Sequence, residues 1–165
     1  MAEPVIRALD PQADLAAVQD LCVRAADYII LETGAPPAQD YGANILAEAP
    51  PTLPPEDVFS FGAVGENGLS GIVTCLRNFY EQGEWYMGLL LLDPAARGAG
   101  LGARIARHVF DLAVSEGARC IRVAVLDVNE RGRAFWDAQG FVLERTVPGD
   151  PAGDGHIRHV LKRAL

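Results

Sequence analysis

Cysteine is scarce in this chain: Cys22, Cys75 and Cys120 are the only three in 165 residues, and no two form a CxxC pair. That spacing offers neither a disulfide framework nor a zinc site, so no metal is expected and a reducing, cytoplasmic compartment is. Long apolar runs are missing as well. No stretch approaches the roughly 20 residues of a membrane span, and "MAEPVIRALDPQ" has no basic segment leading into an apolar run. Basic charge is in deficit, with 14 Lys and Arg against 22 Asp and Glu for a net charge of −8. A broad basic surface for nucleic-acid phosphates is therefore not expected, and cationic partners suit the acidic balance better.

Apolar residues, in contrast, make up half the chain, enough for a sizeable core in a single domain spanning 1–165. "VIRAL" alternates as a strand. Leu15, Val18, Leu21 and Cys22 then recur at helical spacing. From Thr33 to Pro55 the chain is rich in Pro, Gly and Ala, with room for a short helix around Tyr41 to Glu48. "VFSFGAV", "ENG" and "LSGIVTCLR" form a hairpin pattern, and "WYMGLLLL" is apolar enough for a strand buried on both faces.

Further on, Leu101, Ile105, Val109 and Leu112 mark one face of a helix that Gly117 closes. "CIRVAVLDV" follows as a buried strand. "NERGRAFWDAQG" reads as a helix capped by Asn129 and stopped by Gly140, with two last strands, "FVLERTV" and "HIRHVLK", beyond it. The element order predicts an α/β (α+β) domain: a mixed, mostly antiparallel sheet of about seven strands flanked by about four helices on both faces.

The glycine-rich stretch "RGAGLG" lies between a buried strand and a helix. The first N–H groups of a helix have no intrahelical partner and the helix dipole favours an anion there, while glycines let the backbone approach closely. Arg97 adds a positive charge. The same residues also serve a tight strand-to-helix turn, and glycines alone do not decide between the two. A Walker loop is excluded, because Gly102 is followed by Ala103 and Arg104 rather than Lys and Ser or Thr. A dinucleotide fingerprint fits Gly98, Gly100 and Ala103 with Asp127 at the next strand's end, but too few βα units follow it for that fold.

R-x-x-G-x-G after a buried strand, with "VNERGRAFWDAQGF" one helix and one strand later, resembles the GNAT superfamily of acyl-CoA-dependent N-acyltransferases. The resemblance runs from Val58 to about Leu161. The earlier stretch "LCVRAADYIILETGAPP" is similar to one subgroup of it. The resemblance implies acetyl-CoA as cosubstrate, with its pyrophosphate on the backbone amides of Arg97, Gly98, Ala99, Gly100, Leu101 and Gly102. It further implies that a bulged strand offers backbone groups of Leu90, Leu91 and Leu92 to the pantetheine arm. Asn129, Phe135 and Trp136 would flank that arm, although Asn129 also suffices as an N-cap and Trp136 as a core aromatic. Where many relatives carry a tyrosine that protonates the leaving thiolate, this chain has Trp136, whose indole N–H donates a hydrogen bond but is no practical acid.

The chemistry implied is direct attack of an amine on the thioester, which needs a proton acceptor and an oxyanion donor. Leu91 or Leu92 N–H is the expected donor. Strand alternation, until a bulge shifts it, puts Glu84 and Tyr86 on the face of Gly88, Leu90 and Leu92, making them the polar catalytic candidates; a solvated strand end is the other reading of Glu84. Arg131 and Arg133, near the start of the helix that Asn129 caps, could approach the cofactor's phosphates, although a solvated charged face is the commoner reading of such a pair. His108, His156 and His159 read as surface or packing residues, and Cys75 and Cys120 as core. Asp27, Tyr28 and Glu32 precede the flexible segment and could wall an acceptor pocket. The acceptor is expected to be a small-molecule or protein or peptide amine, and a homodimer is in keeping with relatives. Two alternatives stand beside this reading: a non-catalytic CoA-binding module of the same fold, and a dinucleotide-binding oxidoreductase.

Overall fold

The computed structural model describes residues 2–165. β1 (Val5–Ala8) leads into α1 (Leu15–Arg24) and α2 (Ala26–Thr33), followed by α3 (Tyr41–Ala47). A meander of β2 (Val58–Gly65), β3 (Gly68–Leu76) and β4 (Glu84–Leu92) comes next. The chain then runs through α4 (Leu101–Ser115), β5 (Cys120–Leu126), α5 (Glu130–Ala138), β6 (Val142–Val147) and β7 (Arg158–Ala164). One seven-stranded sheet holds them in the order β1-β2-β3-β4-β5-β7-β6. Only β4 and β5 run parallel; every other neighbouring pair is antiparallel.

Two apolar clusters sandwich this sheet. On one face α4 and α5 set Ile105, Val109, Phe110 and Trp136 against Trp85, Met87, Val123 and Leu161. On the other, α1, α2 and α3 set Val18, Leu21, Ile29 and Ile45 against Ile72 and Leu91. Ile105 and Val109 are fully buried, and each side chain so enclosed contributes about 1.5–3 kcal/mol.

Five helices form where about four were expected. The first helical run breaks at Ala25 (φ −96°, ψ 29°), which ends α1 and begins α2. Neither Pro nor Gly lies between Leu21 and Glu32 to mark that break. β7 pairs with both β5 and β6, so the last strand inserts inside the edge strand that precedes it. The other helix ends follow their expected chemistry: Asn129 Oδ1 accepts from Gly132 N at 2.9 Å, and Gly117 (φ +77°) lets the chain turn out of α4.

Candidate active site

β4 and β5 are zipped together only from Glu84↔Cys120 to Met87↔Val123. At the next residue the register with β3 slips: Cys75 faces Met87 while Thr74 faces Leu89, so Gly88 is a bulge. Glycine suits the position: a Cβ at Gly88 would lie 2.9 Å from Thr74 Oγ1, so that side chain would have to move. The bulge bends β4 as its pairing with β5 ends. Beyond it, alternate backbone groups of Leu89–Leu92 point away from β3 toward a gap with no strand to receive them. The gap is a cavity of about 530 Å³ lined by both strands, the glycine loop, α5 and one side of α2.

The loop completes one end of the cavity. Gly98 (φ +81°) and Gly100 (φ +84°) adopt left-handed backbone, with open space where a Cβ would stand. None of the six amides from Gly98 to Ala103 finds a backbone acceptor among the described residues. These amides and the positive end of the 15-residue α4 make a cradle for an anion. Gly102 permits close packing, since its Cβ would lie 3.3 Å from Phe135 Cε2 and 3.4 Å from Leu92 Cδ1. Ala99 alone of the loop residues is not in the cavity wall.

α5 supplies the opposite wall through Asn129, Arg131, Gly132, Phe135 and Trp136. Trp136 does two jobs at once: it lines the cavity and sits edge-to-face on Phe135 at 4.8 Å and Phe141 at 5.1 Å. Arg131 is exposed, in keeping with a solvated face, and it also stands in the cavity wall near the start of α5.

The catalytic candidates fare differently. Glu84 stands at the zipped end of β4, four residues from the bulge, or about 13 Å along a strand. Its carboxylate is held by Arg122 Nη1 at 2.8 Å, and Arg122 in turn binds Glu144 at 2.8 and 3.0 Å. The structure therefore does not bring Glu84 to the cavity. Tyr86 is stacked on Phe79 at 4.7 Å, and burial pushes its phenol up to about 12, so it is neutral at physiological pH. The Gly88 bulge corrects the expected alternation: Leu90 and Leu92 turn to the α4 face, and Leu89 and Leu91 share the α1–α3 face with Tyr86.

Asp27, Tyr28 and Leu31 of α2 wall the cavity on that second face. Arg97 reaches across to Asp27 through two bonds of 2.5 and 2.9 Å, and its guanidinium holds the Asp27 carboxyl below the usual range. Glu32, one helical turn past Tyr28, is half-buried and accepts from Tyr41 OH at 3.2 Å; burial raises its pKa above the ordinary carboxylate value. His108 packs edge-on against Phe61, and His159 bonds Asp127 at 2.6 Å. All three cysteines are buried and none lines the cavity. No group of His, Cys, Asp and Glu suited to a metal occurs among the described residues.

A family model described as the acetyltransferase (GNAT) family matches residues 28–141, the span holding the splayed strands, the glycine loop and α5. The chain belongs to the GNAT acetyltransferase family. It is accordingly an enzyme of the acyltransferase class, and a dinucleotide-binding fold does not describe it. Solved structures carry the same fold. The ribosomal-protein-S18-alanine N-acetyltransferase of Escherichia coli superposes with a TM-score of 0.74 at 17% identity, covering 98% of this chain and 93% of that one. A GCN5-related N-acetyltransferase of Kribbella flavida gives 0.70 at 24% identity, covering 98% and 97%. An acetyltransferase of Thermus thermophilus gives 0.74 at 21% identity, covering 99% and 100%. No curated protein sequence matches this acetyltransferase.

Proposed function

We propose that this acetyltransferase moves an acetyl group from acetyl-CoA to an amine by direct attack within a ternary complex. The observation that carries the reading is the meeting, in one cavity, of five loop residues whose amides have no backbone acceptor and a parallel strand pair that unzips at a bulge. The amides of Gly98 to Ala103 suit a pyrophosphate, with Arg97 at the loop's start. The backbone groups of Leu90 and the N–H of Leu92, which face away from β3, suit the amide-bearing pantetheine arm, while Leu91 is paired with Ile72 and Leu92 O is taken by Arg97. Asn129, Phe135 and Trp136 flank the same channel, and Arg131 adds charge for the phosphates.

Acetyl-CoA, when bound, supplies the acetyl group as an activated thioester. The chain's own residues position, polarise and exclude water. Of the two expected oxyanion donors, Leu91 is paired with Ile72 of β3, so Leu92, whose N–H faces away from β3, is the candidate; its backbone is already ordered, which makes this a cheap stabilisation. Trp136 lends a donor and an apolar wall rather than a proton. With Glu84 tied to Arg122, Tyr28 of α2 is the polar acceptor-side candidate that lines the cavity; Glu32 and Tyr86 stand outside its wall. An amine small enough to pass Leu31, or a peptide N-terminus, fits this side, and the buried thiols agree with a cytoplasmic setting and with transfer that forms no acyl-enzyme.

The test is a melting-temperature series with acetyl-CoA, CoA, NAD and ATP, followed by thiol-release assays on polyamines, amino acids and alanine-terminated peptides. Stabilisation by acetyl-CoA and CoA alone, with amine-dependent thiol release, is the expected result. Absence of any CoA-dependent shift at millimolar ligand, or trapping of an acetylated cysteine, would overturn it.

A further inference from the structure

Arg97 belongs to the donor loop, yet its side chain turns away from the loop amides. Nε and Nη2 donate to Leu92 O at 3.3 and 3.1 Å, and Nη1 and Nη2 donate to the Asp27 carboxylate at 2.5 and 2.9 Å. Four of the five guanidinium N–H groups are thereby spent, two on the last residue of splayed β4 and two on α2. A parallel contact lies one turn back: Arg24 of α1 pairs with Asp93, just past β4, and donates to Leu69 O at 2.8 Å. The two pairs have opposite polarity. Arginine on the helix meets aspartate on the turn in one, and aspartate on the helix meets arginine on the turn in the other. They bracket the Ala25 break, so α2 is attached at its first turn to the segment that carries the donor cradle.

From this geometry we infer that Asp27 and Arg97 form a strut through which the donor loop sets the position of α2, and with it the Tyr28 and Leu31 wall of the acceptor side. Asp27 is a positioning residue in this arrangement. Arg97 acts as a brace, because its charge is matched by Asp27 and its plane is fixed by two acceptors; the free charge for phosphates falls to Arg131. A cosubstrate that orders Gly98 to Ala103 then orders α2 as well, and the acceptor side is firm only when the donor side is filled. The inference rests on the proposed donor site and goes beyond it by coupling that site to a helix 70 residues distant in sequence.

Hydrogen exchange with and without saturating acetyl-CoA tests it, on the wild type, Asp27→Asn, Asp27→Glu and Arg97→Gln. Asp27 has a side chain 59% exposed, so its substitutions leave the core intact, and melting curves check this. In the wild type, acetyl-CoA slows exchange at least threefold both in residues 98–103 and in residues 26–33. In Asp27→Asn and Arg97→Gln the loop still slows but residues 26–33 do not, and Asp27→Glu restores the effect. Acetyl-CoA affinity of Asp27→Asn stays within about threefold of wild type.

Equal slowing of residues 26–33 in Asp27→Asn would overturn the strut. Tenfold tighter acetyl-CoA binding by Asp27→Asn would overturn it differently, by showing that Asp27 withholds Arg97 from the phosphates. If the loop itself fails to respond to acetyl-CoA in the wild type, the donor-site reading falls and the strut's role falls with it.

Discussion

Replacing Gly100 separates the two properties of the glycine loop, its backbone conformation and its affinity for an anion. At φ +84°, any residue with a Cβ takes on left-handed strain, although nothing lies within 4 Å of the Cβ itself. Gly100→Ala therefore loses stability of about 1–2 kcal/mol, a fall in melting temperature of about 2–8 °C for a chain this size. It leaves the cradle's charge untouched. Gly100→Glu carries the same strain and adds a carboxylate. At about 5 Å from a pyrophosphate of charge −2, with an effective dielectric of about 40–80, the repulsion is about 1.7–3.3 kcal/mol, or about 15- to 300-fold in affinity. Calorimetric titration of acetyl-CoA at low salt reads the difference between the two variants, in which the common strain cancels. A folded Gly100→Glu that binds acetyl-CoA within threefold of Gly100→Ala would refute the placement of the pyrophosphate on this loop.

Three further outcomes follow from the same structure. Arg131→Gln weakens acetyl-CoA by about tenfold or more, the scale of a hydrogen bond to a charged group, and makes binding less sensitive to salt; unchanged affinity and salt slope would return Arg131 to the solvated face. Cys22, Cys75 and Cys120 are buried, and burial raises each thiol's pKa, Cys22 to about 11; a thiol reagent at pH 7.5 labels none of them in minutes and all three after denaturation, whereas rapid labelling of the native protein would contradict their enclosure. Asp14, held by the Arg7 guanidinium and by the Asp10 N–H, titrates at about 2 in the folded chain. A depressed carboxylate contributes stability that is present above its ordinary pKa and lost as pH falls from about 4 toward 2, so Asp14→Asn flattens that part of the acid-unfolding curve, and an unchanged curve would rule the contribution out.

Local signals made most of the architecture legible. Glycines punctuate the second half at Gly117 and Gly140, Asn129 announces α5, and the run from Trp85 to Leu92 is too apolar for any place but a central strand. The glycine loop proposed as the donor cradle was legible as a strand-to-helix turn for the same reason: its glycines, helix start and preceding strand are contiguous. What escaped was long-range. A bulge in this strand was expected from the resemblance, but its place at Gly88 depends on β3, and it moved Leu90 and Leu92 to the face opposite Tyr86. Glu84 has the composition of a base, but its partners Arg122 and Glu144 come from two other strands. The break at Ala25 carries no turn residue, and Asp27 meets Arg97 only because α2 folds over the end of β4.

The edge of the sheet shows the same division between local and tertiary information. "FVLERTV" and "HIRHVLK" are recognisable as strands from their own pattern, but nothing within either stretch states that β7 takes the inner place beside β5. That choice buries Val160 and Leu161 and leaves every residue of β6 exposed. The exposure accounts for a strand whose apolar residues, Val142, Leu143 and Val147, contribute little to the core.

The most direct test of the account is a crystal structure of the chain with acetyl-CoA. The pyrophosphate is predicted on the amides of Gly98 to Ala103, the pantetheine arm between β4 and β5 along Leu90 to Leu92, and the thioester carbonyl beside the Gly88 bulge. Acetyl-CoA bound outside the gap between β4 and β5, with the loop amides facing only solvent, would contradict it.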